Sequence, residues 1–254
     1  MSKPESQMLA SQCSSEEWEL RVQLAACYRA FVHYGWTDSI FTHLSARVPG
    51  QTNQYLINPY GLLFHEICAS NLIKVDFDGN VVAGDYPYNE AGHAIHSAML
   101  RARPDVNVAL HSHTRAGMAV SCMDCGLLPL TQQSNEIRDL LCYHDYGIAR
   151  TDSGECERLG ADMVDKWIMI MRNHGLLTVG PTIGDAFLLM YALETGCQTQ
   201  ILAQSTAGDL QLVPQPVVDG IQAQVDDVLK GLGGQLVWPG LLRKLDRADS
   251  SFRD

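Results

Sequence analysis

The chain has 254 residues, of which 46% are hydrophobic and 19% charged, ordinary values for a globular fold with a substantial core. Its net charge of −11 comes without a Lys/Arg cluster, which argues against a phosphate-backbone partner. No run approaches the roughly 20 apolar residues of a membrane span. The polar opening MSKPESQMLASQCSSEEWEL lacks the apolar core of a signal peptide. The expectation is a cytoplasmic protein that binds neither nucleic acid nor membrane.

Residues 1–15 are polar and Ser-rich and are expected to be disordered. A capping pattern at Ser15 then opens a helix through Leu20, Leu24, Cys27 and Phe31, stopped at Gly35. HLSARV and QYLINP, separated by PGQTN, form a hairpin or meander. A short turn-and-helix stretch runs from His65 to Asn71, and LIKVDFDGNVV turns at Asp78-Gly79. GHAIHSAMLRAR is helical, closed by Arg103-Pro104-Asp105. VNVALHSHT is a buried strand and TRAGMAVSCM a helix. GLLPL is a loop leading to TQQSNEIRDLL, and Tyr143-His-Asp-Tyr146-Gly147 reads as a turn-rich connection. DMVDKW reads as helix, IMIMRNHGLLTVG as two strands joined at Asn173-His174-Gly175, and TIGDAFLLMYALETGCQTQILAQ as a long amphipathic helix. Short helical runs close the chain. Antiparallel strands covered by helices suggest an α/β fold, a three-layer α/β/α sandwich with a central, mainly antiparallel sheet. A single domain at 16–210, with 211–254 packed on it as an extension, is the simplest division.

Eight cysteines at 13, 27, 68, 122, 125, 142, 156 and 197 are scattered, several in apolar contexts, and read as reduced thiols. Cys122-Met-Asp-Cys125 is a C-x-x-C without a second pair, a weak signal for redox or metal chemistry. His111-Ser112-His113 carries more. On a strand, side chains two residues apart share a face, so both imidazoles can reach one ion. His174, on a turn before a Gly, can deliver a third nitrogen. Three neutral nitrogens with an open position suit a catalytic metal. Either histidine of the H-x-H could equally be a satisfied polar residue at a strand end.

Several ordered segments resemble the class II aldolase/adducin family across roughly residues 18–207: THLSARV (42–48), LINPYGLLFHEI (56–67), residues 89–121 from NEAGH through HSHTRAGMAVS, GLLPL (126–130), YHDYG (143–147) and RNHGLLTVG (172–180). The resemblance implies that His111, His113 and His174 bind Zn²⁺ or another divalent ion such as Mn²⁺, Fe²⁺ or Co²⁺. It also implies a homotetramer with sites near subunit boundaries. Where the family's sugar-phosphate members carry a Gly-Asn pair, this chain has Thr42-His43, while Ser45 and Arg47 persist as substrate-binding candidates. Where they carry Ser-Ser-Glu, with the glutamate as base, it has Glu90-Ala91-Gly92. Asn89-Glu90-Ala91-Gly92 resembles the adducin-like branch, and a carboxylate at Glu90 disfavours a phosphorylated substrate. Glu90, His93 or Glu136 could replace the lost base only with a changed loop. Tyr143 matches a tyrosine that aldolases present across an interface as proton donor. It could also be a packing group with a polar tip. His96 is expected to hydrogen-bond beneath the site, whereas His33, His65 and His144 have no matched role.

Two functions follow. The first is a divalent-metal-dependent lyase, an aldolase or decarboxylase, acting on a small carbonyl or carboxylate substrate through a metal-stabilised enediolate. Decarboxylation fits best because it needs no base at position 92. The second is a catalytically silent, metal-binding, adducin-like assembly domain.

Overall fold

A computed structural model of the chain describes residues 12–148, 154–229 and 231–254. Most of the stretch expected to be disordered lies outside them. The first helix, α1 (Ser15–Tyr34), is capped one residue earlier than expected, by the Ser14 hydroxyl accepting from the Glu17 amide. It ends where Gly35 adopts the left-handed φ of 73° that glycine reaches without strain.

Among the described residues eight strands follow: β1 (Leu44–Arg47), β2 (Gln54–Ile57), β3 (Ile73–Asp76), β4 (Val81–Ala83), β5 (Val108–Ser112), β6 (Leu141–His144), β7 (Ile168–Met171) and β8 (Gly175–Gly180). They form one sheet in the order β4-β3-β2-β1-β5-β8-β7-β6. All pairings are antiparallel except β6 with β7, so the sheet is mixed and mainly antiparallel. The central strands β5, β7 and β8 are buried along their whole length. That matches their near-continuous apolar sequence and requires cover on both faces.

The cover comes from two sets of helices. One face packs Leu110, Ile170 and Leu176 against Phe31 of α1, Phe187 and Leu193 of α6 (Ile183–Gln204) and Trp238 of α8 (Gly233–Ala248). The other packs Ala109, Met169 and Leu177 against Ile95 and Met99 of α2 (Glu90–Ala102) and Leu159 of α5 (Glu155–Asp162). Two short helices, α3 (Arg115–Ser121) and α4 (Gln132–Glu136), lie between α2 and β6, and α7 (Gln215–Leu229) lies between α6 and α8. The three-layer α/β/α sandwich is the fold expected. Near the C-terminus, Trp238 packs tilted against Phe187 with ring centroids 5.6 Å apart, and the buried Phe252 accepts the Ala69 amide at its carbonyl. No helix among the described residues is long and apolar enough to cross a membrane.

Two local expectations need correction. Residues 141–144 form the edge strand β6, although YHDYG read as a connection. The helix expected over DMVDKW lies earlier, as α5, and Met163 already caps it. The two errors have one cause. β6, α5 and β7 make a parallel β-α-β unit, in which a crossover helix must precede the next strand. Helical periodicity in DMVDKW belonged to the turn that closes it.

Candidate metal centre

The sheet places three histidines at one end. His111 is the penultimate residue of β5, opposite Leu177 of β8, and is fully buried. Its Nδ1–H donates to the Leu176 carbonyl at 2.8 Å, which leaves Nε2 as a bare acceptor. His113 follows just past the strand end, with Nδ1 2.9 Å from the Asp38 carboxylate, so its Nε2 faces the same space. His174 stands on the β7–β8 turn, after Asn173 at a φ of 57°. Asn is among the few residues that adopt this left-handed conformation readily. Gly175 is required for close approach: a Cβ there would come within 2.9 Å of the His113 ring and run into the Ser112 backbone.

The ring centroids lie 4.5 Å (His111–His113), 4.9 Å (His111–His174) and 4.8 Å (His113–His174) apart. One nitrogen from each falls within 4.8 Å of the other two. The Nε2 atoms of His111 and His113 are 2.8 Å apart. With Nδ1 of the neutral His111 ring holding its proton against the Leu176 carbonyl, the lone pair of His111 Nε2 points into this gap. Such a lone pair is a donor that a divalent cation can use. Burial, then the neighbouring His43, His113 and His174, push the His111 imidazolium well below its usual range. Burial, then His113, bring His174 to about 4. Near neutral pH both rings are therefore uncharged and nucleophilic toward a metal, and an all-imidazole donor set suits zinc and its divalent neighbours.

Two further layers support the triad. Glu194 of α6 is fully buried and accepts from Ser112 Oγ and Thr114 Oγ1, both at 2.8 Å, tying the segment around His113 to the helix. Burial raises its carboxyl to about 7, against the lowering effect of those two hydroxyls. On the other side, His43 stacks on His111, with centroids 5.0 Å apart and planes at 27°. His43 Nδ1 is 2.8 Å from His96 Nε2, and His96 Nδ1 meets Ser45 Oγ. His96 thus hydrogen-bonds beneath the site, as expected, and Ser45 reaches the centre only through it.

The other candidates lie apart from the triad. β1 runs antiparallel to β5 with Leu44 beside Leu110, so Arg47 sits at the opposite end of the strand from His111. Its guanidinium donates to the carbonyls of Thr52, Leu100 and Val106 and lies 5.3 Å over the Phe77 ring. Glu90 is the exposed first residue of α2, behind its cap Asn89. Tyr143 lies on β6, under Arg172, and its hydroxyl accepts the Leu127 amide at 3.0 Å. Tyr146, three residues on, has its ring 6.2 Å from that of His174. A cleft of about 600 Å³ adjoins the centre and is lined by Trp36, Asp38, His113, Arg115 and Met118 among others. A larger one, about 1120 Å³, holds Arg47 at the far end of the sheet. Donor chemistry, not size, marks the smaller as the site, since the triad is the cluster of metal-type donors among the described residues. Asp38 and Glu194 escaped sequence reading. The first lies in an irregular loop and the second inside an apolar helix, and only the fold brings them to His113.

A mixed sheet sandwiched by helices, with three histidines converging at the end of its central strands, defines an α/β protein with a candidate metal centre. The description "Class II Aldolase and Adducin N-terminal domain" matches residues 22–201, and the chain belongs to this family. A Pseudomonas aeruginosa protein named for the aldolase class 2 group is 47% identical over 247 residues, covering 96% of this chain and 95% of that protein. Mouse alpha-adducin is 38% identical over 193 residues, 74% of this chain but 26% of the adducin. Among solved structures, an aldolase II superfamily protein from Pseudomonas syringae superposes with a TM-score of 0.91 at 46% identity, over 97% of this chain and 99% of its own. The L-fuculose 1-phosphate aldolase of Glaciozyma antarctica gives 0.81 at 28% identity, over 94% of each chain.

Proposed function

We propose that the chain holds one divalent ion, zinc foremost, on Nε2 of His111 and His113 and a ring nitrogen of His174. In this reading it works as a lyase on a small carbonyl or carboxylate compound. The observation that carries the reading is the convergence of one nitrogen from each of His111, His113 and His174 within 4.8 Å of the other two. An ion held there supplies a Lewis acid that withdraws electrons from a substrate carbonyl. The protein's own part is to keep His111 and His174 neutral by burial and to orient the rings of His111 and His113 through Leu176 and Asp38. Gly92 offers no base, so cleavage that releases CO₂ from a carboxylate, which needs none, fits better than retro-aldol cleavage, which needs a base for the substrate hydroxyl proton.

Tyr143, engaged by the Leu127 amide within its own chain, would serve the site of a neighbouring copy in a homotetramer. Glu90 would stand at the mouth, where its charge disfavours phosphorylated substrates. The test is to assay zinc-loaded protein against a panel of small 2-hydroxy acids, aldols and 3-keto acids, following CO₂ and aldehyde release. Turnover that His113→Ala abolishes is expected. Turnover that survives metal loss in this variant contradicts the reading. The similarity to alpha-adducin favours a second reading, a metal-retaining assembly domain without turnover. A zinc-loaded tetramer inert toward the whole panel would select it.

A further inference from the structure

We propose that His43 is a substrate-contacting residue of this centre. It would occupy the space that a side chain at position 92 would need and present Nε2 to an oxygen of the bound ligand. The inference rests on the metal-centre reading above and adds to it the group that meets the ligand. Its first support is steric. A Cβ on Gly92 would stand 2.5 Å from His43 Cδ2, 2.7 Å from Nε2 and 2.8 Å from Cγ. Real Cβ atoms do not come that close, and the ring cannot swing aside, because it is buried, stacked on His111 and bonded to His96. The site therefore accommodates either an imidazole at 43 or a side chain at 92. The replacements at these two positions act as one structural change.

The second support is hydrogen bonding. Nδ1 of His43 is engaged by His96, while among the described residues nothing bonds to Nε2. Nε2 belongs to the ring edge against the Gly92 α-carbon, and the ring's face lies on ligand His111. Nε2 is not one of the sealed, unpaired polar atoms of the described residues, which are Thr42 Oγ1 and Asn135 Oδ1, so a ligand or water can reach and complete it. The chain from Ser45 through His96 to His43 exists in two neutral tautomers. With Ser45 donating to His96, Nε2 of His43 carries a proton and serves a carbonyl or carboxylate oxygen. With Ser45 accepting, Nε2 is bare and serves a hydroxyl. Either polarity is reached without charging a ring that sits beside two other histidines. The ligand class is a small, unphosphorylated compound with oxygens on adjacent atoms, one of them within reach of this nitrogen.

Acetohydroxamate, which carries oxygens on adjacent atoms, is the probe. In the zinc-loaded wild-type protein, a long-range ¹H–¹⁵N imidazole spectrum should show the His43 Nε2 resonance move by several ppm on addition of the probe. Titration calorimetry should find acetohydroxamate binding about tenfold weaker in His43→Ala, the loss of one hydrogen bond. His43→Gln should recover part of it, and zinc affinity should stay within about threefold in both. On metal-free protein, Gly92→Ala should lower the Tm in the wild-type background and have little effect in the His43→Ala background. A stationary His43 resonance, or equal hydroxamate affinity in wild type and His43→Ala, overturns the role of His43. So does a zinc-loaded wild type that does not bind the probe. Failure of the wild type to take up zinc overturns the reading of the centre itself, and the Gly92–His43 coupling remains measurable without it.

Discussion

The histidine triad and a lone histidine, His144, sit at the ends of neighbouring strands, and their surroundings separate them. In the triad, each outer nitrogen of His111 and His113 is held by an oxygen acceptor and each inner nitrogen faces another nitrogen. At His144, the last residue of β6, both ring nitrogens meet carboxylates: Asp162 at 2.7 Å on Nδ1 and Glu155 at 2.9 Å on Nε2, with Arg158 also on Glu155. One site gathers three ring nitrogens at one point, and the other is a clasp of two carboxylates on one ring, joining β6 to α5. The availability of a lone pair, not the number of histidines, distinguishes a metal centre from a structural one.

The largest effect that would sharpen this contrast is on metal affinity. His113→Ala should weaken zinc binding by about a thousandfold, since a structural zinc site's ~10–16 kcal/mol is shared among only a few ligands. Chelator competition measures this, and retention of wild-type affinity would remove His113 from the centre. His144→Ala should do the reverse. Zinc affinity should be unchanged, while urea unfolding should show a loss of about 2 kcal/mol, because the buried Glu155 loses its ring partner and keeps Arg158. If zinc affinity fell with it, the division between the groups would fail.

Glu194 gives a pH-dependent effect of similar size. Its folded carboxyl titrates at about 7, above the 4.5 of an ordinary glutamate. The stability this protonated group contributes is complete below pH 4.5 and is lost as pH rises through 7. At 1.36 kcal/mol per pKa unit the span is about 3 kcal/mol. Glu194→Gln cannot ionise, so the difference in urea stability between metal-free wild type and variant should shift in the variant's favour by about that amount between pH 4.5 and 8. A flat difference would place the carboxyl in its ordinary range. The smallest effect is expected at Asp38, which is partly exposed. Asp38→Asn should weaken zinc binding about tenfold, the usual result of changing the group that orients a ligand. No change would show that His113 needs no external orientation.

What was legible in the sequence follows from how local each signal is. The H-x-H spacing on an apolar strand and the Asn-His-Gly turn are short-range patterns, and β5, β7 and β8 bring them together as they read. β6 was hidden because an edge strand of four residues running into Asp145, Tyr146 and Gly147 carries turn chemistry, and its parallel partner lies beyond α5. Arg47 read as an anion ligand because the residue type suits one. The antiparallel register of β1 on β5 carries it away from the triad, and carbonyl oxygens satisfy it there. Asp38 and Glu194 are 75 and 82 residues from the partners they hold, His113 and Ser112, separations no local pattern bridges. Gly92 read as a deletion of chemistry. Its contact with His43, which depends on the packing of α2 over β1, shows that the space is filled.

X-ray absorption at the zinc edge, on protein loaded with one equivalent of zinc, tests the central claim most directly. The account predicts three imidazole nitrogens at about 2.0–2.1 Å, reduced to two in His174→Ala. A shell dominated by sulfur or carboxylate oxygen, or one that His174→Ala leaves unchanged, would contradict it.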